Sequence, residues 1–203
     1  MNKGQLIVVS GPSGSGKDTV ISKAIERLGE KAFLSVSMTT RRKRGSETDG
    51  VDYYFVSEKE FLEHIENGEM LEYAKYGSNY YGTPAQPIKD RIGNGEIVFL
   101  NIEVQGGASV RKLIPEAVKV FILPPSVREL ERRLRKRATE DEEAIQKRLK
   151  IAEDEMERAV EYDYIVINDD LDDAVDALIS IVKGQTSKND NINEIIREVF
   201  SHV

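Results

Sequence analysis

The sequence predicts an α/β protein built on a parallel sheet, and three observations carry that expectation. Short β-branched apolar runs recur along the chain, beginning with Gln5 to Ser10 (QLIVVS). Helical apolar spacing separates most of them, as in Val20, Ile21, Ala24, Ile25 and Leu28. Recognisable helix starts then punctuate the pattern. Apolar strands without polar alternation belong in a sheet covered on both faces, and a βαβα order implies right-handed crossovers. At 203 residues the chain is expected to form one domain or a compact core with insertions. It is long enough to bury roughly 70% of its unfolded surface without covalent staples.

In chain order, the further strands are expected at Phe33 to Met38, Ile97 to Ile102, Val118 to Leu123 and Tyr164 to Ile167. Ser57-x-x-Glu60, Ser126-x-x-Glu129 and Thr139-x-x-Glu142 read as capping boxes, and Thr83-Pro84 as a start with proline in the first helical position. Two segments break the rhythm. Thr39 to Thr83 is rich in Arg, Tyr and Gly and reads as short strands plus one helix. Arg128 to Glu161 reads as a charged helical hairpin with an apolar stripe at Leu130, Leu134, Ile145, Leu149, Ala152, Met156 and Val160. Six of the ten residues from Arg128 to Arg137 are Arg or Lys, a density that points to an anion. After a polar stretch, Ile192, Ile195, Ile196, Val199 and Phe200 mark a short tail helix.

Composition excludes several chemistries. There is no cysteine, hence no disulfide, thiolate metal site or thiol nucleophile, and the two histidines make a histidine-built metal site improbable. A net charge of -7 argues against nucleic-acid binding, despite the two basic clusters. No run of ~18 apolar residues is present and the N-terminal apolar run is too short for a signal peptide, so no membrane contact and a cytoplasmic location are expected.

The strongest motif is Gly11-Pro12-Ser13-Gly14-Ser15-Gly16-Lys17, which fits G-x-x-x-x-G-K between a strand and a helix. Its glycines let successive N–H groups turn inward around phosphate oxygens, the following helix N-terminus adds to the same field, and Lys17 supplies a mobile cation. Asp18 stands where a magnesium-binding Ser or Thr is usual, with Thr19 next. Either Asp18 holds the metal or its waters, or it faces away as a helix N-terminal acid and Thr19 serves. The second is preferred, because a carboxylate beside a polyphosphate is repelled unless a metal intervenes.

Three further stretches identify the kind of loop. These are Ser35-Val-Ser-Met-Thr-Thr-Arg41-Arg-Lys-Arg44-Gly-Ser-Glu47, Gly50-Val-Asp-Tyr53-Tyr-Phe-Val, and Glu72-Tyr-Ala-Lys-Tyr-Gly-Ser-Asn-Tyr-Tyr81-Gly-Thr83. With the phosphate loop they closely resemble the guanylate kinase family, and the resemblance runs from Leu6 to Val182. It implies a three-layer P-loop kinase fold: a core of residues 1–38, 84–127 and 162–184, a GMP-binding insertion at 39–83, a helical lid at 128–161 and a tail at 185–203. It implies ATP-dependent phosphorylation of GMP and dGMP, with magnesium as cofactor, by a monomer or homodimer. Arg41, Arg44, Tyr53 and Tyr81 would hold the GMP phosphate, where guanidinium forks and phenol donors suit a dianion. Glu72 would read guanine, whose N1–H and 2-amino group are adjacent donors to one carboxylate, with Ser37 and Thr83 as hydroxyl contacts. Tyr54, Phe55, Tyr73 and Tyr76 are taken as ordinary strand aromatics.

The strand-end turn Leu100-Asn-Ile-Glu-Val-Gln-Gly106 places Asn101 where the resemblance implies an acid and retains Glu103, expected to face GMP and the metal. Arg133, Arg137 and Arg148 resemble the lid arginines that cover the ATP phosphates, and Asn168 in Ile167-Asn168-Asp169-Asp170 would pair with adenine or serve only its turn. Ala138 replaces a usual lid glycine. A sugar-phosphate kinase would keep the phosphate loop but have no use for Glu72 and Thr83, whereas a guanylate-kinase-like scaffold domain usually has a degraded loop.

Overall fold

The computed structural model describes residues 4–136, 142–184 and 192–201. Five parallel strands form the central sheet, in the order β2 (Ala32–Leu34), β7 (Ile97–Asn101), β1 (Gln5–Ser10), β8 (Val118–Leu123) and β9 (Tyr164–Ile167). Period-two alternation sends adjacent residues of each strand to opposite layers. Ile7, Val9, Phe99, Val120 and Ile122 pack with Val20, Ile21 and Ala24 of α1 (Lys17–Leu28) and with Val175 and Leu178 of α7 (Leu171–Val182). Leu6, Val8, Val98 and Leu100 turn the other way, onto Ile88 of α3 (Ala85–Gly93) and Val110 of α4 (Val104–Leu113). Three layers result.

A smaller four-stranded sheet has the order β4 (Tyr54–Phe55), β3 (Met38–Thr39), β6 (Asn79–Pro84), β5 (Met70–Tyr76), with α2 (Glu58–Glu66) between β4 and β5 in the chain. The single strand expected at Phe33 to Met38 is therefore two strands in two sheets. Hydrogen bonding explains the split: the Ser35 N–H still donates to Phe99 O at 2.8 Å, but Ser37 O already accepts from Tyr54 N at 2.9 Å. The chain changes partners between them. The proline expected inside a helix is also displaced by one place, since Pro84 ends β6 with extended backbone and stands as the N-cap of α3.

In the segment expected as a lid, α5 (Val127–Lys136) pairs with α6 (Glu142–Glu157), which runs on into a 3₁₀ turn at Arg158–Glu161. Leu130, Leu134, Ile145, Leu149, Ala152 and Met156 are buried as the apolar stripe predicts. Val160 is exposed and Ala159 is buried instead. Tightening from 3.6 to about 3 residues per turn shifts the buried phase by one position. The tail helix α8 (Ile192–Ser201) inserts Ile196 and Val199 into the same cluster as the lid stripe. Ser57 and Ser126 cap their helices, accepting from Glu60 N at 3.2 Å and Glu129 N at 3.1 Å. Thr139 of the third capping box, with Arg137 and Ala138, lies outside the described residues. Among the described residues no helix is long and apolar enough to cross a membrane.

Candidate active site

The phosphate loop lies at the carboxyl end of β1, the position where open parallel sheets offer their crevice. Gly11 (φ 150°), Gly14 (φ 96°) and Gly16 (φ 88°) take backbone angles that side chains resist, and a Cβ at Gly11 would lie 2.2 Å from Ile122 O. Lys17 Nζ donates to Gly11 O at 2.7 Å and Pro12 O at 3.3 Å, so the ammonium lies over its own loop.

Two lid arginines reach this loop. Arg133 Nη2 donates to Asn168 O at 2.9 Å and Nη1 to Ser15 O at 3.4 Å, while its Nε is held by Glu129 at 2.7 Å. Arg148 donates to Ser13 Oγ. Three of the basic residues of this run, Arg132, Arg133 and Arg135, have acidic partners within the same pair of helices. Glu129 bonds both Arg132 and Arg133, and Arg135 bonds Glu131 and Glu142. Arg132 and Arg133 hold the Glu129 carboxyl down at about 2, and Arg135 with Gln146 does the same for Glu142.

Asn168 is buried, and its amide donates to Ser15 O at 2.7 Å. A Cβ at Gly16 would lie 2.3 Å from that same nitrogen, so the amide occupies the space the glycine leaves open. Asn168 is thus directed at the phosphate loop. Beside it opens a cleft of about 400 Å³ between the loop and the lid, lined by Gly14, Gly16, Thr19, Arg133, Asn168 and Leu171 among others. Thr19 belongs to this cleft. Asp18 faces elsewhere, accepting from Asn101 Nδ2 at 2.5 Å. Burial raises the Tyr53 hydroxyl above its ordinary pKa, with Tyr81 next and Arg41 opposing, while Asp18 and Glu103 add the smallest contributions.

On the small sheet, Arg41 is 9% exposed and doubly bonded to Glu47, each guanidinium nitrogen 2.8 Å from a different carboxylate oxygen. The same carboxylate accepts from Arg44 N at 2.8 Å, closing the loop around it. The hydrogen bond from Arg41 draws the Glu47 carboxyl down to about 2. Glu47 stood within the quoted motif without a role, and a lone acid after four basic residues was the available signal. The Arg41 guanidinium lies 5.3 Å from the Tyr53 ring and 5.6 Å from Phe55, with Tyr81 edge-on to Tyr53 at 6.1 Å. Phe55 therefore packs against Arg41, while Tyr54, Tyr73 and Tyr76 are exposed strand aromatics as expected.

Glu72 is 7% exposed on β5 and accepts from Thr83 Oγ1 at 2.7 Å across the hairpin, with Ser37 Oγ 3.5 Å from Thr83 Oγ1. Burial pushes its carboxyl above the usual range, opposed by the Thr83 hydroxyl. Its second oxygen takes no hydrogen bond from the described residues and abuts α4, where a Cβ at Gly106 would lie 2.7 Å from Oε2. Glycine at 106 is what lets the helix and the carboxylate coexist. Neither Gly106 nor Glu155 was singled out from the sequence. The Glu155 carboxyl, on α6, is raised to about 7, first by burial and then by Glu103.

The family model described as guanylate kinase matches residues 3–185. A guanylate kinase of Carboxydothermus hydrogenoformans is 46% identical over 193 residues, covering 95% of this chain and 94% of that one. One from Synechococcus elongatus is 50% identical over 178 residues, covering 88% and 97%. The crystal structure of guanylate kinase from Anaplasma phagocytophilum aligns with a TM-score of 0.75 at 34% identity, over 93% of this chain and 89% of that chain. Likeness in sequence and in fold over nearly the whole length has one reading: the chain belongs to the guanylate kinase family.

Proposed function

We propose that the protein transfers the γ-phosphoryl group of ATP to the phosphate of GMP or dGMP, releasing ADP and GDP or dGDP. The observation that carries the acceptor is the buried Glu72 carboxylate, with one oxygen held by Thr83 and the other without a donor among the described residues. Guanine supplies two adjacent donors, which compensate the burial and return the carboxyl to its charged form. Adenine presents an acceptor in the same place and would strand the carboxylate, a mismatch that can cost ~10⁴-fold in selectivity. Thr83 and Ser37 complete the base pocket. A sugar-phosphate acceptor would leave Glu72 with no purpose.

Arg41, held by Glu47, receives the GMP phosphate with Arg44, Tyr53 and Tyr81. The pairing to Glu47 keeps the guanidinium plane oriented before substrate arrives. On the donor side, loop N–H groups and Lys17 bind the ATP phosphates, and Arg133, Arg137 and Arg148 cover them from the lid. Lys17 and, in part, Arg133 now rest on backbone carbonyls, which carry partial charge and yield to a phosphate. Asn168 shapes the loop at the foot of the adenosine cleft. The attacking GMP oxygen and the leaving ADP oxygen lie in line, and the protein positions both while neutralising charge. Lid closure excludes water, which would otherwise intercept the phosphoryl group.

Magnesium fits the residues present. Asp18, Asn101 and Glu103 offer oxygen donors beside the loop, and among the described residues no cluster of three or more acids or histidines forms a closed cage. That suits a cation which keeps most of its waters and takes phosphate ligands. Asp18 and Glu103 would hold it, and when bound it neutralises charge on the β and γ phosphates. Thr19 lies on the cleft side and is the weaker candidate. We infer a cytoplasmic enzyme that works without nucleic acid or membrane.

A coupled ADP-release assay with ATP and Mg²⁺ and each of GMP, dGMP, AMP, CMP and UMP tests the proposal. Turnover confined to GMP and dGMP is expected, and equal turnover with AMP would overturn the role of Glu72.

A further inference from the structure

Asp18 and Asn101 stand 83 residues apart in the chain and touch in space. The register explains the meeting: Asn101 ends β7 beside Val9 of β1, and the phosphate loop carries the chain from β1 into the first turn of α1. Phosphate-loop enzymes in general place a hydroxyl after the loop lysine and an acid at a neighbouring strand end, and both face the magnesium ion. Here the two kinds of side chain are redistributed. The helix position holds the carboxylate and the strand position holds a neutral amide.

We propose that Asp18 and Asn101 are a reciprocal pair, in which Asp18 carries the metal-facing carboxylate and Asn101 orients it. The inference rests on the phosphotransferase reading above, since only a metal-bound nucleotide gives this carboxylate a purpose. Two observations support it. The Asn101 amide donates to Asp18 Oδ1, while Oδ2 takes no hydrogen bond from the described residues and the residue is exposed. Asp18 stands in the first turn of α1, yet among the described residues its carboxylate accepts from Asn101 on β7 and not from an N–H of its own helix.

The pairing also explains why both positions depart at once. Carboxylates at 18 and 101 together would repel at hydrogen-bond distance. A hydroxyl at 18 with an amide at 101 would leave no charge at either. One acid and one neutral donor satisfies the contact, and either position can carry the acid.

The test is a double-mutant cycle on the full-length protein: wild type, Asp18→Ser, Asn101→Asp and the double variant. ADP affinity is measured by calorimetry with excess Mg²⁺ and again with EDTA, and Mn²⁺ binding to each ADP complex is followed by electron paramagnetic resonance. Asp18→Ser is expected to lose the metal-dependent gain in ADP affinity by about 10-fold or more. Asn101→Asp alone is expected to give no gain, and the double variant to return to within about threefold of wild type. A double variant no better than Asp18→Ser would overturn the proposal. So would an Asp18→Ser protein with a lowered Tm but unchanged metal dependence, since that is the signature of a structural acid. If Asp18→Ser does not fold, Asp18→Asn replaces it in the cycle with the same expectations. No GMP enters these measurements, so failure of GMP turnover in the wild type would overturn the acceptor assignment and leave this result standing on its own.

Discussion

The two sides of the site are built on different principles. On the acceptor side, Arg41, Glu72 and Thr83 are buried, and each is held by a side chain dedicated to it. On the proposed donor side, Lys17 rests on the carbonyls of Gly11 and Pro12, and Arg133, whose Nε is held by Glu129, turns its two terminal nitrogens to the carbonyls of Ser15 and Asn168. Discrimination between bases requires groups that cannot relax toward the wrong partner, which is what burial and fixed pairing supply. Delivery of charge to a transferring phosphate requires cations that exchange partners cheaply. Changes on the acceptor side should therefore alter selectivity, and changes on the donor side should alter affinity without altering selectivity.

The sharpest break would come from Glu72→Gln. The amide offers a donor where guanine also offers one, so the kcat/KM preference for GMP over AMP is expected to fall by about 10³-fold or more. Gly106→Ala tests the same pocket from behind. Alanine suits a helix better than glycine, yet its Cβ would crowd Glu72 Oε2. The KM for GMP is expected to rise about tenfold, the cost of misdirecting one charged hydrogen bond, with Tm and ATP affinity held. A fall in Tm without a change in KM would show the glycine to be structural.

Asn168→Ala probes the donor side. Loss of the bond to Ser15 should raise the KM for ATP and GTP alike, by about fivefold to tenfold. A loss confined to ATP would mean that the amide reads the base after all. The smallest effect concerns Glu155, whose carboxyl is raised to about 7 by burial and by Glu103. A carboxyl raised in the folded state binds its proton more tightly there than in the unfolded chain. Its contribution to stability is complete below the ordinary carboxylate pKa near 4.5 and is lost as pH rises through about 7. Glu155→Gln is therefore expected to raise Tm by about 2–4 °C at pH 8 and to leave it unchanged at pH 4. Equal gains at both pH values would remove ionisation as the cause.

What could be read before the structure follows from the range of the interactions involved. The strands of the central sheet and the lid stripe announce themselves through local periodicity, and Ser57 and Ser126 through capping chemistry. The order of the strands depends on crossovers and lies beyond any local pattern. Phe33 to Met38 is a continuous run, and nothing within it says that the backbone changes sheets at Ser35. Val160 misled because a period of 3.6 was carried into a segment that tightens. The balance of the lid charges was legible, since Glu129 stands three and four residues before Arg132 and Arg133, and Glu131 four before Arg135. Glu47 lay in view, but its bond to Arg41 forms through a loop whose path only the fold reveals. Gly106 is the extreme case. Its significance lies wholly in a carboxylate from another sheet.

The placement of β7 directly beside β1 bears on how such a site can change. Parallel register sets the end of one strand next to the loop that leaves the other, so Asn101 and Asp18 are neighbours by topology and not by any adjustment of the backbone. An acid can then migrate from one chain segment to another through two substitutions, while every main-chain atom stays where it was.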